Sequence, residues 1–234
     1  MGSIRLPGKS LMDLAGAPLV GRMLERVKKC MSIDDIVLAI PDTIENKPLA
    51  DLGYEYNVSV FAGSEINLVD RYYQAALNSG ADVVVRLPAD NATPEPDEID
   101  KIVNYHLGLD VPGFTSNISN IKNSGYPDGI GAEVFNFSLL EEIHSMNLTK
   151  EKQEHLHLNF FDYDLGKSVD ENWCPVHTLK CPVEFRRPDI ILDVNTESQY
   201  KFIKKLYEDL YPQNPNFGIL DIINWYDDAS KTKH

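Results

Sequence analysis

The sequence predicts an α/β protein built as a Rossmann-like, mainly parallel sheet with helices on both faces. Three observations carry that prediction. Short β-branched runs alternate with stretches of helical apolar spacing. Strands separated by helices imply right-handed crossovers and therefore parallel neighbours. The 234 residues suit one large α/β domain, and no repeat or low-complexity linker divides them.

The elements follow in order. Pro18–Cys30 has helical spacing, and Asp35–Ile40 is a β-branched run of the buried-strand type. Asn57–Gly63 reads as a strand, Ile66–Gly80 as a helix ending at glycine, and Ala81–Leu87 as a strand. Asp97–Gly108 is the next helix, and Phe114–Ile118 the next strand. Beyond this the alternation loosens. Gly131–His144 gives a strand running into a helix, and Val176–Phe185 an antiparallel or edge strand. Leu192–Tyr211 is a strand end followed by a helix with Thr196 as its N-cap. The chain therefore reads as one domain, residues 1–234, with an insertion around 115–185.

Composition narrows the function classes. A formal net charge of -14 argues against general nucleic-acid binding, which needs a basic face. Local arginines and lysines can still make one cleft attractive to an anion. Cys30, Cys174 and Cys181 form no framework spacing, as expected of a protein in a reducing cytoplasm. No apolar run approaches the roughly 18 residues that span a bilayer, so no membrane partner is expected.

The opening MGSIRLPGKS poses the functional question. It is not a Walker A loop, because five residues rather than four separate Gly2 from Gly8, and Pro7 lacks the N–H such a cradle needs. Arg5 and Lys9 flank a Pro-Gly turn, with Gly2 and Ser3 offering donors nearby. The residues alone allow a polyphosphate clamp or a solvated basic turn.

Five further stretches occur in a telling order: LVDRYYQAA (68–76), VVRLPAD (84–90), YPDGIGAEVFNF (126–137), EHLH (154–157) and DVNTE (193–197), after the initial MGS-RLPGK. Together they resemble the spore-coat-polysaccharide cytidylyltransferase-like family, related to the 3-deoxy-manno-octulosonate and sialate cytidylyltransferases. The resemblance implies a magnesium-dependent enzyme that moves CMP from CTP to a sugar acceptor, an acidic keto-sugar, releasing pyrophosphate. By the same resemblance Gly2, Ser3, Arg5 and Lys9 contact the nucleotide phosphates, with Arg5 and Lys9 stabilising the leaving group. Asp42 approaches base and ribose, and Arg71 lines the nucleotide side. Asp128, Glu133 and His155 face the acceptor. The family usually has an aspartate where Gly131 stands, which implies altered sugar specificity.

Asp90 follows a buried strand and so falls on the ligand-bearing edge of the sheet, where a carboxylate is a hard oxygen ligand for Mg²⁺. A second reading makes it a loop cap in a turn-rich stretch. Of Asp193 and Asn195 the carboxylate is the better charge partner for Mg²⁺, so Asp193 is taken as the second ligand. The resemblance also implies a strand of about nine residues ahead of the opening loop, central in the sheet. A chain lacking it is expected to be poorly stable and impaired.

Other readings stand beside this one. The acceptor could be a phosphonate or sugar phosphate, with Lys122, Arg186 and Arg187 supplying cations. A zinc-stabilised binding domain could use His155, His157, Cys174 and His177, although their spacing matches no standard finger. A homodimer formed through Val176–Phe185 is a further expectation.

Overall fold

A computed structural model of the chain describes residues 5–118 and 121–231. Gly2 and Ser3 of the phosphate-loop reading lie outside the described residues. The Pro-Gly turn closes at Gly8, whose φ of 72° is left-handed and favours glycine, and it opens a single 3₁₀ turn over Lys9–Leu11. A hairpin of β1 (Asp13–Leu14) and β2 (Ala17–Pro18) delivers the chain into α1 (Leu19–Val27). Pro18 precedes the first helical residue, which fits its fixed φ and missing N–H.

Strand β3 (Val37–Pro41) pairs in parallel with β4 (Ser59–Gly63), and α2 (Lys47–Glu55) crosses between them. Helix α3 (Leu68–Ser79) starts at Asn67, whose side chain accepts from the Asp70 N–H, and ends at the left-handed Gly80. It leads to β5 (Val83–Arg86), which is followed by α4 (Pro96–Leu107) and β6 (Phe114–Ser116). Strand β7 (Glu133–Asn136) runs on without a loop into α5 (Phe137–Ser145), and α6 (Lys150–Glu154) follows. A small hairpin joins β8 (Phe161–Asp162) to β9 (Lys167–Ser168), and β10 (Val176–His177) returns to the main sheet. Two helices close the chain, α7 (Glu197–Leu210) and α8 (Ile219–Lys231).

The larger sheet has the order β10-β6-β7-β5. β5 and β6 both run antiparallel to β7, and β10 runs parallel to β6, so only β7 opposes the shared direction. β7 departs from the parallel pattern because its chain arrives through a long irregular segment, not through a crossover helix. The stretch read as an insertion from 115 to 185 is woven into the sheet: it supplies β7, β10 and most of β6. Only Val176 and His177 of the expected long edge strand are in the sheet. They sit at its edge as read, but parallel, and Val183–Phe185 turns into 3₁₀ helix.

Packing follows the layers. Leu14, Leu19, Leu192, Ile203 and Tyr207 belong to a core between the opening hairpin and the C-terminal helices. Phe114, Phe135 and Phe160 pack ring on ring in a second core behind β6 and β7, and Phe160 also stacks on Trp173. α4 covers the same sheet through Ile99, Ile102 and Val103. Burying each such aliphatic or aromatic side chain contributes roughly 1.5–3 kcal/mol. The three cysteines are free and buried.

Candidate nucleotide and acceptor site

Residues from four distant stretches meet at one end of the β5 layer. β5 ends at Arg86, and the chain then forms the loop that carries Asp90. The DVNTE stretch is fastened to that loop by backbone: Val194 N–H donates to Asp90 O at 3.0 Å, and Asn91 and Asp193 form an antiparallel bridge. Tyr207 of α7 fixes the loop further by donating its hydroxyl to Ala92 O at 2.5 Å. The sheet edge therefore places Asp90 and Asp193 side by side.

The opening turn closes over them. Lys9 Nζ reaches Asp90 Oδ2 at 2.7 Å, Val194 O at 2.8 Å and Asn195 Oδ1 at 3.1 Å. Arg5 Nη2 donates to the same Asn195 Oδ1 at 3.2 Å. The Asn195 amide nitrogen turns the other way and donates to Asp193 Oδ2. Thr196 and Gln199 form a reciprocal capping box at the start of α7, and Gln199 Nε2 also donates to Asp193 Oδ1 at 3.4 Å. The helix cap thus fixes the carboxylate as well as the helix.

Charge in this corner is unbalanced. Burial raises Asp193 above the ordinary carboxylate range and the negative charge of Asp90 adds to it, while the Asn195 hydrogen bond and Lys9 oppose. Asp128, whose backbone bridges Ile191, is raised by burial and then by the charges of Asp193 and Asp90. Three acidic side chains thus feel one another around a single ammonium. This is the electrostatic signature of a place that favours a further cation. The two carboxylates of Asp90 and Asp193 are fitting hard ligands for Mg²⁺, which keeps waters and substrate oxygens as its remaining ligands.

The other residues marked in the sequence fall around this cluster. Arg71 lines a cavity of about 690 Å³ that Lys9 and Asp90 also line. Its Nη1 donates to Ser64 O at 2.7 Å, burial lowers its pKa, and its buried Nε has no partner among the described residues. Asp42 follows β3 with its N–H on Gly63 O, at the C-terminal end of the β3–β4 pair. Glu133 is 2% exposed and faces Arg86 across the β5–β7 register, with Arg86 Nη1 at 2.5 Å from its Oε2. That pairing gives Glu133 a structural task, since removing either partner would strand a buried charge.

His155 ends α6, and its ring lies 5.9 Å from that of His157, which meets Tyr163 edge-on at 5.2 Å. The sequence reading singled out neither Arg86 nor Tyr163, yet both belong to this wall. Burial, Glu133 and Asp128 raise the Tyr163 phenol, while Arg86 opposes. Alternation along VVVRL was the only signal that could have turned Arg86 inward.

Two readings gain a structural context. A Cβ on Gly131 would run into the Asn117 side chain and backbone, so this position is glycine for packing and its neighbourhood offers an aspartate no room. The zinc reading also loses its geometry. Among the described residues no three His, Cys, Asp or Glu side chains gather to hold a metal, and His177 Nε2 is engaged by Val111 O at 3.1 Å. Cys174 is fully buried, and its thiol is pushed up to about 12.

The mixed sheet with helices on its faces, and a ligand edge carrying an opening cationic turn, define a nucleotidyltransferase of the nucleotide-diphospho-sugar transferase fold. A model of the cytidylyltransferase family matches residues 1–216, and the chain belongs to that family. It is 29% identical over 213 residues to the spore coat polysaccharide biosynthesis protein SpsF of Bacillus subtilis, covering 89% of this chain and 83% of the relative. A solved cytidylyltransferase from Leptospira borgpetersenii superposes with a TM-score of 0.86 at 23% identity, covering 99% of this chain and 92% of the other. A CMP:2-keto-3-deoxy-manno-octonic acid synthetase solved with CTP shares the fold at a TM-score of 0.64 and 14% identity, covering 89% of this chain and 95% of the other. No helix among the described residues is long and apolar enough to cross a membrane.

Proposed function

We propose that this enzyme transfers CMP from CTP to an oxygen of a small sugar acceptor, an acidic keto-sugar, and releases pyrophosphate. The supporting observation is the convergence of Arg5 and Lys9 with Asp90, Asp193 and Asn195 within hydrogen-bonding distances. Transfer at an α-phosphorus needs positioning and charge neutralisation more than covalent help from the protein. Lys9 and Arg5 supply positive charge at the turn, and two of their partners, Val194 O and Asn195 Oδ1, are neutral and can release them toward phosphate oxygens. Arg71, without a carboxylate partner among the described residues, adds a guanidinium to the cavity wall. Asp90 and Asp193 would hold Mg²⁺, which when bound neutralises phosphate charge and orients the reacting oxygens. The wall of Arg86, Glu133, His157 and Tyr163 near Asp128 would meet the acceptor.

The family assignment and the relatives named for CMP-sugar synthesis support this reading, and SpsF links it to polysaccharide biosynthesis. The test is CTP-dependent pyrophosphate release with magnesium, run across keto-acid sugars, sugar phosphates and phosphonates. Turnover with the keto-acid sugars is expected. Turnover confined to phosphate or phosphonate acceptors would contradict the acceptor class, and none with any nucleotide would contradict the activity.

A further inference from the structure

Lys9 is held as a bound cation would be. An ammonium has three donors, and here three oxygens receive them: Asp90 Oδ2 at 2.7 Å, Val194 O at 2.8 Å and Asn195 Oδ1 at 3.1 Å. A carboxylate, a backbone carbonyl and an amide oxygen are the ligand types that hard cations take. The Asn195 amide nitrogen is turned onto Asp193, which leaves its oxygen facing the ammonium.

The carboxylate in this nest is the one the sheet edge would offer to a divalent ion. The Asn91–Asp193 bridge and the Val194–Asp90 backbone bond set Asp90 beside Asp193. Both Asp193 oxygens meet neutral amides, from Asn195 and Gln199. Among the described residues, the one ion pair made by either aspartate is Lys9 with Asp90. Its two side chains are only 14% and 21% exposed, so water and salt screen the pair weakly. A divalent ion on Asp90, at the ~2.1 Å of a magnesium–oxygen contact, would stand beside that unit positive charge. The two cations would repel while competing for one carboxylate.

We infer that Lys9 keeps the divalent cation's place on Asp90 and yields it only to phosphate oxygens, so the site takes the cation together with a nucleoside triphosphate and not alone. The identity of that anion rests on the CTP reading above. Phosphate oxygens are anionic and can replace Asp90 as the ammonium's partner, which water cannot do. The flexible Lys9 stem suits such a move. The Val194–Asp90 backbone bond involves no lysine atom, so the carboxylates stay in place when the ammonium leaves. Linkage makes the effect reciprocal: affinity that Lys9 denies to the lone ion reappears as cooperativity between ion and nucleotide.

The test needs no turnover. Mn²⁺ is titrated into the protein without nucleotide, and the free ion is followed by electron paramagnetic resonance. Wild type, Lys9→Met, Lys9→Arg and the Lys9→Met/Asp90→Asn double variant are compared. Lys9→Met keeps the length of the stem and removes its charge. Wild type and Lys9→Arg should bind Mn²⁺ weakly, and Lys9→Met at least about tenfold more tightly. The double variant should lose that gain. A second measurement uses the wild type alone: CTP should bring Mn²⁺ onto the protein, seen as enhanced water-proton relaxation that neither ion nor nucleotide gives by itself. Equal Mn²⁺ affinity in wild type and Lys9→Met, or a gain that survives Asp90→Asn, would overturn the inference. So would a wild type that binds Mn²⁺ as tightly without CTP as with it. The gain in Lys9→Met beside a failed pyrophosphate assay would support the lysine's place on Asp90 and overturn the CTP reading instead.

Discussion

Lys9 Nζ touches three oxygens that lie 81 to 186 residues away in sequence. In the protein without nucleotide it offsets part of the charge that Asp90 and Asp193 share. With CTP bound, phosphate oxygens compete for the same ammonium. Lys9→Ala should therefore lower kcat with CTP by about 10²–10³-fold, the range for losing one preorganised charged donor. Steady-state kinetics checks this, and unchanged turnover would remove Lys9 from the account. Asp128 gives the opposite trade. Its carboxyl is raised by burial and by Asp193 and Asp90, so its ionised form costs stability at neutral pH. Asp128→Asn should raise the thermal midpoint by about 2–4 °C while reducing turnover, as expected where a strained charge cluster serves function. Scanning calorimetry paired with the pyrophosphate assay would show it.

At the scale of elements, the N-terminus of α7 has two duties. The Thr196–Gln199 capping box satisfies the first helical N–H groups, and Gln199 also reaches Asp193. Thr196→Ala should cost about 1 kcal/mol of stability. Because the cap holds DVNTE in place, it should also weaken CTP binding, which calorimetric titration would detect. Loss of stability with unaltered CTP affinity would mean the cap serves the helix alone.

α4 and β6 share a second polar device. His106 is buried, with Nδ1 2.8 Å from Thr115 Oγ1 and Nε2 3.0 Å from Asn136 Oδ1. Burial lowers its pKa, with the Asn136 hydrogen bond opposing. The unfolded chain therefore binds the proton more readily below the ordinary histidine value of about 6.5. Stability carried by neutral His106 is complete above that pH and falls as pH drops toward the lowered folded value. Urea midpoints should decline between about pH 6.5 and 5 in the wild type and decline less in His106→Gln. Parallel declines in both proteins would assign the acid sensitivity elsewhere.

For the molecule as a whole, the sequence made the periodic parts legible. Helices α1, α3, α4 and α7 and strands β3 to β7 fall where apolar spacing placed them, because each buries one face against a neighbour. α2 and α8 escaped the reading. The first hides in KPLADLGYE behind a proline at its second position, and the second mixes apolar and acidic residues after a turn. The direction of β7 was also illegible, since strand direction depends on the connection and not on periodicity.

Within the site, Arg5, Lys9, Asp90 and Asp193 could be named because short motifs carry them. Their meeting depends on long-range pairing, such as Val194 on Asp90, which no local pattern encodes. Arg86 and Tyr163 were missed for the same reason: each looks like an ordinary strand or loop residue until Glu133 and Asp128 arrive beside it. The split between the β3–β4 pair and the larger sheet appears only in three dimensions.

The claim on which the functional account rests is that the cationic turn and the paired aspartates form one CTP site. Titrating CTP with magnesium into the wild-type protein, Lys9→Ala and Asp90→Ala while following heat is the most direct test. The account expects saturable binding to the wild type, weakened by about tenfold or more in each variant, a loss of roughly 1.4 kcal/mol. Equal affinity in all three proteins would contradict it.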